Sequence, residues 1–111
     1  MNNCKVLNLC MTRGDTLSFD FSVDDLEIDN VYFSCRKEIN DANYVFQKTT
    51  NDDITLIDAE AGEYNVKVAP EDTENVELGN YYYDLQINVG SDKYTILKGS
   101  LKIDYDITRG V

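Results

Sequence analysis

The fold is decided by residues 69–87, which read APEDTENVELGNYYYDLQI. A proline followed by acidic residues predicts one helical turn over residues 70–76, because proline suits the first helical position and carboxylates stabilise the positive end of the helix dipole. From Gly79 to Val89, apolar and aromatic side chains alternate with polar ones. Such alternation is typical of a strand with one face in the core and one face in water. The stretch therefore predicts a strand end, a short turn of helix and a long half-buried strand.

The same alternation recurs along most of the chain and is clearest at residues 17–23, LSFDFSV. Breaks rich in Gly, Asn and Asp separate the runs, and residues 90–92, GSD, are typical of a hairpin loop. This pattern predicts an all-β fold, an antiparallel sandwich of about seven to eight strands, in one domain covering residues 1–111. The predicted strands are residues 7–12, 17–23, 31–36, 44–49, 54–58, 64–68, 81–89 and 93–105.

For the last predicted strand, residues 93–105, the sequence does not decide along the whole length which side chains face the core. Leu101, Ile103 and Tyr105 are predicted to face the core, whereas two adjacent apolar side chains at residues 96–97 interrupt the alternation. Gly99 marks either a β-bulge or a place where another backbone comes close. Both interpretations of this glycine stand at this point.

The net negative charge of the chain argues against negatively charged partners. The chain of 111 residues has 10 basic and 21 acidic side chains and a formal net charge of -11. A field of this sign repels phosphate backbones and anionic membrane surfaces, so we expect no nucleic acid and no membrane among the partners. Solubility is the first explanation of the acidity, and an acidic mimic of DNA would rest on charge alone.

The cysteines indicate a reducing compartment. Cys4, Cys10 and Cys35 are an odd number without CxxC spacing, which argues against a disulfide framework. The sequence also lacks a signal-peptide pattern and an apolar run near the ~20 residues that span a bilayer. These features predict a cytoplasmic protein, or a component of a particle that is assembled in the cytoplasm.

Catalysis is not expected. The chain contains no histidine, so the commonest general base and transition-metal ligand is missing. Cys35 falls on an apolar strand face without a histidine to activate it, which favours a small core residue. We therefore predict no enzymatic activity, no catalytic residue and no cofactor.

Two loops concentrate the oxygen ligands that Ca²⁺ prefers. Neither loop has the EF-hand spacing with its central glycine, and Asn and Asp in β loops mostly make turns. The turn interpretation is favoured, and no metal site is predicted. The clusters are Asp24, Asp25, Glu27 and Asp29 in one loop and Asn51, Asp52 and Asp53 in the other.

Residues 69–87 resemble the E–F corner of immunoglobulin-like domains, in which a tyrosine at the start of strand F bonds back to the upstream backbone. Gly79 and Tyr81 stand at the matching positions, and the resemblance implies a structural role for both. The chain has neither the inter-sheet cysteine pair nor the tryptophan of antibody domains. The resemblance thus implies an immunoglobulin-like antiparallel β-sandwich without a disulfide.

Three strings, with a Phe-x-Phe strand after the first, resemble small virion proteins of tailed bacteriophages of Gram-positive hosts. They are similar to the N-terminal immunoglobulin-like domain of upper baseplate proteins, and the likeness covers nearly the whole chain. The resemblance implies a structural protein of a phage tail, baseplate or neck, of phage or prophage origin. It also implies a virion component that contacts other phage structural proteins and forms a homo-oligomer. The strings are TRGDTL at 12–17, YFSCRK at 32–37 and GNYYYDL at 79–85.

The tripeptide Arg13-Gly14-Asp15 is also the one that adhesion ligands use, but turn chemistry accounts for it. Gly14 permits a positive φ and Asp15 can bond to nearby backbone, which favours a turn between two strands. Arg13 and Arg109, each within a Thr-Arg-Gly triplet, are predicted to pair with carboxylates of a neighbouring subunit. We therefore name Arg13, Asp15 and Arg109 as candidate partner contacts and Gly14 as a structural residue.

A second set of candidate contacts lies on the wet face of the strand that follows Gly79. Tyrosine is favoured at interfaces, although strand propensity alone also accounts for many tyrosines in a β protein. These residues favour a structural protein that acts by protein–protein contacts. The alternative is a small carbohydrate- or cell-surface-binding β-sandwich module, with or without calcium in its loops. The patch comprises Tyr82, Asp84, Gln86 and Asn88, together with Tyr32 and Tyr44.

Overall fold

The computed structural model describes residues 5–23, 28–50, 52–58 and 62–108, and most of these residues lie in strands. Within these ranges, no helix is long and apolar enough to cross a membrane. The predicted helical turn is present as one short helix. The elements are β1 (Lys5–Val6), β2 (Leu9–Thr12), β3 (Leu17–Ser22), β4 (Asn30–Arg36), β5 (Phe46–Thr50), β6 (Asp53–Asp58), β7 (Glu63–Val68), α1 (Pro70–Thr73), β8 (Gly79–Val89) and β9 (Asp92–Asp104).

The strands form one sheet that curls into two facing layers. The order runs from β1 and β2 beside β9 through β8, β4 and β5, and then through β6 and β7 to β3. The sheet turns from one layer to the other at the short parallel pairing between β5 and β6. Phe19 of β3 packs edge-on against Phe33 of β4, with ring centroids 5.4 Å apart, so the layers enclose the core between them.

The predicted all-β, immunoglobulin-like fold is confirmed, and the described cysteines form no disulfide. The prediction of a purely antiparallel sheet is wrong, because β1 and β2 both run parallel to β9. Parallel and antiparallel strands share the same alternation of side chains, so the sequence pattern does not distinguish them. The first segment of the chain therefore lies beside the last strand and runs in the same direction.

Aromatic rings fill the centre of the core. Phe33 is fully buried, and its ring centroid lies 5.8 Å from that of Phe46 and 5.5 Å from that of Tyr83. Aromatic pairs at these separations stabilise the fold beyond the area that they bury. Aliphatic side chains complete the core, and those with the lowest exposure include Val31, Ile54, Val66, Val68, Leu85, Ile87, Leu101 and Ile103.

A β-bulge in β9 explains the ambiguous phase of the last strand. Leu85 pairs with Leu97, whereas the next residue of β8, Gln86, pairs with Thr95, so Ile96 is an extra residue on β9. A bulge of one residue reverses which side of the strand faces the core. The outer face of β9 therefore carries odd-numbered residues before the bulge and even-numbered residues after it.

Gly99 marks a close approach of two backbones near that bulge. A Cβ atom at Gly99 would lie 2.1 Å from the carbonyl oxygen of Leu7. The hydroxyl of Tyr83 donates to the same Leu7 oxygen at 2.5 Å, and the Ser100 N–H donates to Oδ1 of Asn8 at 3.1 Å. The junction between β1 and β2 is thus clamped against β9 at a point where only glycine fits.

The prediction that Tyr105 faces the core is wrong. Leu101 and Ile103 are 0% and 1% exposed, as predicted, but Tyr105 is 59% exposed. The reason is that β9 ends at Asp104, so the alternation does not extend to the tyrosine.

The corner between β7 and β8 has the arrangement that residues 69–87 indicate. Tyr81 is buried, and its hydroxyl donates to the carbonyl oxygen of Glu77, four residues upstream. The N–H of Ala69 donates to Oδ2 of Asp72 at 2.7 Å, which caps α1. Gly79 has a φ of +148°, a value that L side chains rarely adopt.

Residues 13–15 form the turn between β2 and β3. The Asp15 N–H donates to the carbonyl oxygen of Thr12 at 3.1 Å, and Gly14 has a φ of 80°. The Gly14 N–H also donates to Oγ1 of the fully buried Thr73 at 2.8 Å. This bond connects the turn to α1, so the tripeptide is part of the framework at this end of the sandwich.

A buried lysine, Lys48, links β5, β6 and α1. Lys48 is 7% exposed, and its Nζ lies 2.8 Å from Oδ2 of Asp53 and 2.7 Å from Oδ2 of Asp72. Burial lowers the pKa of Lys48, but the hydrogen bonds to the two carboxylates outweigh it, and the net pKa is raised. Asp53 has a φ of 67°, an uncommon conformation outside glycine. The ammonium group therefore ties β5 both to the start of β6 and to α1.

Cys35 on β4 is fully buried, as the sequence predicts. Desolvation raises the pKa of its thiol to about 12, so the side chain stays neutral and is a poor nucleophile. Cys10 lies exposed on β2. Cys4 lies outside the described residues.

Candidate functional site

A hollow of about 850 Å³ lies on the outer face of the layer formed by β9, β8, β4 and β5. Along β8, buried side chains alternate with the ones that line this hollow. The same strands therefore contribute one face to the core and the other face to the hollow. The patch predicted from the wet face of β8 forms part of its lining, since Tyr82, Asp84, Gln86 and Asn88 all reach it.

Four tyrosines line the hollow, and one of them is the buried Tyr83. Tyr32 lies in β4, Tyr82 lies in β8, and Tyr44 comes from the loop between β4 and β5. Tyr44 and Tyr82 are 42% and 44% exposed. The guanidinium of Arg36 lies 4.6 Å from the ring centroid of Tyr44, and its Nη2 donates to the Tyr44 hydroxyl at 3.0 Å. Its Nη1 also donates to the carbonyl oxygen of Ile39 at 3.4 Å, so this arginine holds the loop at the edge of the hollow.

A carboxylate, that of Asp84, is among the groups that line the hollow. Asp84 pairs with Ser34 of β4 on one side and with Lys98 of β9 on the other. Desolvation raises the pKa of the Asp84 carboxyl, and the positive charge of Arg36 only partly opposes this. Among the described residues, none forms an ion pair with Asp84. The carboxylate is thus partly desolvated, and the charge of Arg36 compensates this only in part.

Replacing Asp84 with asparagine is expected to raise the midpoint of thermal unfolding at neutral pH, because the folded chain disfavours the ionised carboxyl. The raised folded-state pKa means that this penalty applies above that pKa and fades as the pH falls through it. The two proteins should therefore melt alike below about pH 3.9, the pKa of an unfolded aspartate. Circular dichroism melts from about pH 3 to 8 measure this difference. Asp92→Asn on the exposed hairpin is the control, and a lower midpoint for Asp84→Asn at neutral pH would contradict the prediction.

The charge balance of the hollow is opposite to that of the whole chain. Arg36, Lys93 and Lys98 line it, and Asp84 is the acidic residue among its lining residues. These are three of the 10 basic residues and one of the 21 acidic ones, which leaves 7 basic and 20 acidic residues for the rest. Neither Lys93 nor Lys98 forms an ion pair with another described residue.

The predicted contact residues fall into two groups. Tyr32, Tyr44 and Tyr82 meet in the hollow. Arg13 and Asp15 lie elsewhere, at the turn beside α1.

Arg13 has a partner inside the chain, and its predicted pairing with a neighbouring subunit stays a prediction. Its Nη2 lies 3.0 Å from Oδ1 of Asp106, and its Nη1 donates to the carbonyl oxygen of Val76 at 3.5 Å. The carboxylate comes from the segment after β9, which the sequence pattern did not place beside this turn. Arg109 lies outside the described residues.

Sequence reasoning missed the basic residues of the hollow. Arg36 lies at the end of the alternating run in β4, so its outward direction could have been read from the sequence. Lys93 and Lys98 differ in parity, and they share a face only because of the bulge at Ile96. No signal in the sequence marks that bulge apart from the two adjacent apolar residues.

No cluster of three or more possible metal ligands occurs among the described residues. Asp29 accepts the N–H of Gly90 at 2.7 Å through its Oδ2, and Asp53 pairs with Lys48. These contacts fit the turn interpretation of the acidic loops. The other residues of the predicted clusters that lie outside the described ranges are Asp24, Asp25, Glu27 and Asn51.

Comparison with known proteins adds to the fold and not to the site. No protein-family model matches the chain. No curated protein matches it either. A family 123 glycoside hydrolase from Clostridium perfringens is similar at 12% identity over 95% of this chain and 24% of that one, with a TM-score of 0.55. The chain thus spans about a quarter of the length of that hydrolase, and the likeness concerns the fold alone.

Two other solved structures are similar over nearly their whole length. They are the extracellular domain of the voltage-gated sodium channel beta4 subunit, at 11% identity, and the natural killer cell receptor NKp44, at 16% identity. The first covers 96% of this chain and 98% of its own, with a TM-score of 0.45. The second covers 95% and 100%, with a TM-score of 0.44.

Proposed function

We propose that this chain is a non-enzymatic assembly protein that docks other protein subunits in the hollow of its outer face. The observation that carries this proposal is a preformed concave surface lined by Tyr32, Tyr44 and Tyr82 together with the partly desolvated carboxylate of Asp84. Tyrosines are enriched in protein interfaces because they bury a large area at a small entropic cost. Strands hold most of these side chains, so little ordering is needed when a partner binds.

The proposed setting is the tail, baseplate or neck of a bacteriophage, with other virion proteins and further copies of this chain as partners. Its support is the resemblance of TRGDTL, YFSCRK and GNYYYDL, in that order, to virion proteins. An assembly role requires no catalytic group, which agrees with a chain that contains no histidine.

The mass in solution tests the assembly role. Multi-angle light scattering from about 1 µM to 1 mM should show a discrete oligomer, a range that covers weak to moderate affinities. The double variant Tyr44→Ala/Tyr82→Ala should shift the mass towards the monomer, because it removes two exposed rings from the hollow. Tyr105→Ala is the matched control, since this tyrosine is 59% exposed but lies outside the hollow. An oligomer that the double variant leaves unchanged would exclude docking through this surface.

The alternative is a carbohydrate- or cell-surface-binding module that uses the same hollow. The observation that favours it is that the Tyr44 and Tyr82 rings line the same hollow as the amides of Gln47 and Gln86, since sugars combine stacking on rings with hydrogen bonds. An array of neutral and acidic oligosaccharides, probed with the wild type and Tyr44→Ala/Tyr82→Ala, tests this. Melts with and without calcium chloride test the loops, because a bound ion raises the unfolding midpoint. The alternative would be excluded if no oligosaccharide bound the wild type and if calcium chloride left its unfolding midpoint unchanged.

A further inference from the structure

The hollow is a basic surface on an acidic protein, and its two lysines, Lys93 and Lys98, have no ion-pair partner among the described residues. Together with Arg36 they outnumber Asp84 there. Charged groups across an interface are arranged so that opposite potentials meet. The occupant of the hollow should therefore present negative charge.

The chain itself carries such a surface at the end of the sandwich where β8 begins. We call this surface the acidic end and define it by the exposed residues Asp15, Glu71 and Glu74. The hydrogen bond between the Gly14 N–H and Oγ1 of Thr73 brings the turn that holds Asp15 against α1.

Basic residues near the acidic end are already occupied. Arg13 lies 3.0 Å from Asp106, and Lys37 lies 2.9 Å from Glu77. Within the described ranges, none of Asp15, Glu71 and Glu74 forms an ion pair. The acidic end therefore presents carboxylates that its own domain does not neutralise.

We propose that the hollow of one copy receives the acidic end of a second copy, so that the chains associate head to tail. This inference rests on the proposed assembly function and adds to it the partner and the polarity of the contact. A face-to-face dimer of two hollows would bring together six basic groups and two Asp84 carboxylates, which is unfavourable. The hollow lies along the strands and the acidic end lies at their ends, so the contact joins two different surfaces. Contacts of this kind build rings when the rotation closes and filaments when it does not.

Charge reversal in two separate variants tests the polarity. The hollow variant is Lys93→Glu/Lys98→Glu, and the end variant is Glu71→Lys/Glu74→Lys. Each should self-associate at least about tenfold more weakly than the wild type, because two attractive contacts become repulsive. Lys67→Glu on β7 lies outside both surfaces and is the control for the loss of positive charge. Sedimentation velocity measures the association, and circular dichroism verifies that each variant is folded.

An equimolar mixture of the two variants is the decisive experiment. The hollow variant retains an acidic end for the unchanged hollow of the end variant, and its reversed hollow attracts the reversed end of that variant. The mixture should therefore form alternating assemblies as large as those of the wild type, although each variant alone associates weakly. A single chain that carries all four substitutions should recover self-association, since both surfaces have exchanged sign. A mixture that stays monomeric, or an end variant that associates like the wild type, would overturn the head-to-tail contact. If the wild-type oligomer still depends on Tyr44 and Tyr82 in that case, the proposed function stands while this inference fails.

Discussion

Replacing Lys48 with methionine is expected to lower the free energy of unfolding by about 3 kcal/mol, because two carboxylates lose their shared cation in a largely buried place. Lys48 is 7% exposed, and the side chain of Asp72 is 17% exposed. Asp53 can regain water more easily, since its side chain is 36% exposed, so the loss should lie at the lower end for a buried pair. Denaturant unfolding of both proteins measures the difference.

Lys37→Met is the matched control for this substitution. Lys37 also lies 2.9 Å from a carboxylate, that of Glu77, but the two side chains are 54% and 80% exposed. Exposed ion pairs contribute little to stability, so this variant should unfold close to the wild type. Equal losses for the two lysine variants would show that burial of Lys48 has no energetic consequence.

The pH dependence provides a second readout for Lys48. Its pKa is raised in the folded chain, so its contribution is complete below the unfolded-state pKa of about 10.4 and is lost as the pH rises through the folded-state pKa. The difference between Lys48→Met and the wild type should therefore be constant at neutral pH and shrink in strongly alkaline solution. A difference that grows with alkaline pH would contradict this assignment.

Replacing Gly99 with alanine is expected to cost about 2 kcal/mol, because the new methyl group would overlap the backbone of the N-terminal segment. The Cβ would lie 2.1 Å from the carbonyl oxygen and 2.8 Å from the carbonyl carbon of Leu7. To relieve the overlap, the junction between β1 and β2 must move away, and Tyr83 then loses the acceptor of its hydroxyl. Thermal unfolding measures the loss of stability.

Hydrogen exchange distinguishes this mechanism from general destabilisation. In Gly99→Ala, amides of β1 and β2 should exchange faster, while the pairing of β4 with β8 stays protected. Gly90→Ala is the comparison, since Gly90 has a positive φ but open space around its Cβ position. That variant strains the hairpin without touching the N-terminal strands, so β1 and β2 should keep their protection. Uniform loss of protection in Gly99→Ala would exclude a local clamp.

The sequence determines the strands of this protein far better than their arrangement. Alternation identified β3, β4, β7 and β8 nearly to the residue, because each has one buried and one wet face. The corner at Tyr81 was also within reach, since the helical turn, Gly79 and the tyrosine are close in sequence. The parallel pairing of β2 with β9 could not be predicted, because the alternation of side chains within one strand does not depend on which strand pairs with it.

The residues of the hollow could likewise be predicted only where a single strand determines which way they point. Tyr82 and Asp84 could be assigned to a wet face from β8 alone. Lys93 and Lys98 could not be assigned to the same face, since one extra residue at Ile96 changes the direction of every side chain before it relative to those after it. The contact of Arg13 with Asp106 could not be assigned either, since the two residues lie 93 positions apart in the sequence.

The parallel alignment of β2 with β9 has a mechanical consequence. The bonds between Leu9–Thr12 and Leu101–Asp104 join two strands that point the same way. Traction on the start of β2 and on the end of β9, in opposite directions, slides the strands past each other and does not peel them apart. Under such shear all of these hydrogen bonds bear the load together, and the domain yields only when the whole set breaks. The force that the domain resists is set by the activation barrier for breaking these bonds together, and not by the equilibrium free energy of unfolding. A subunit that is anchored through both strands would therefore transmit tension along an assembly.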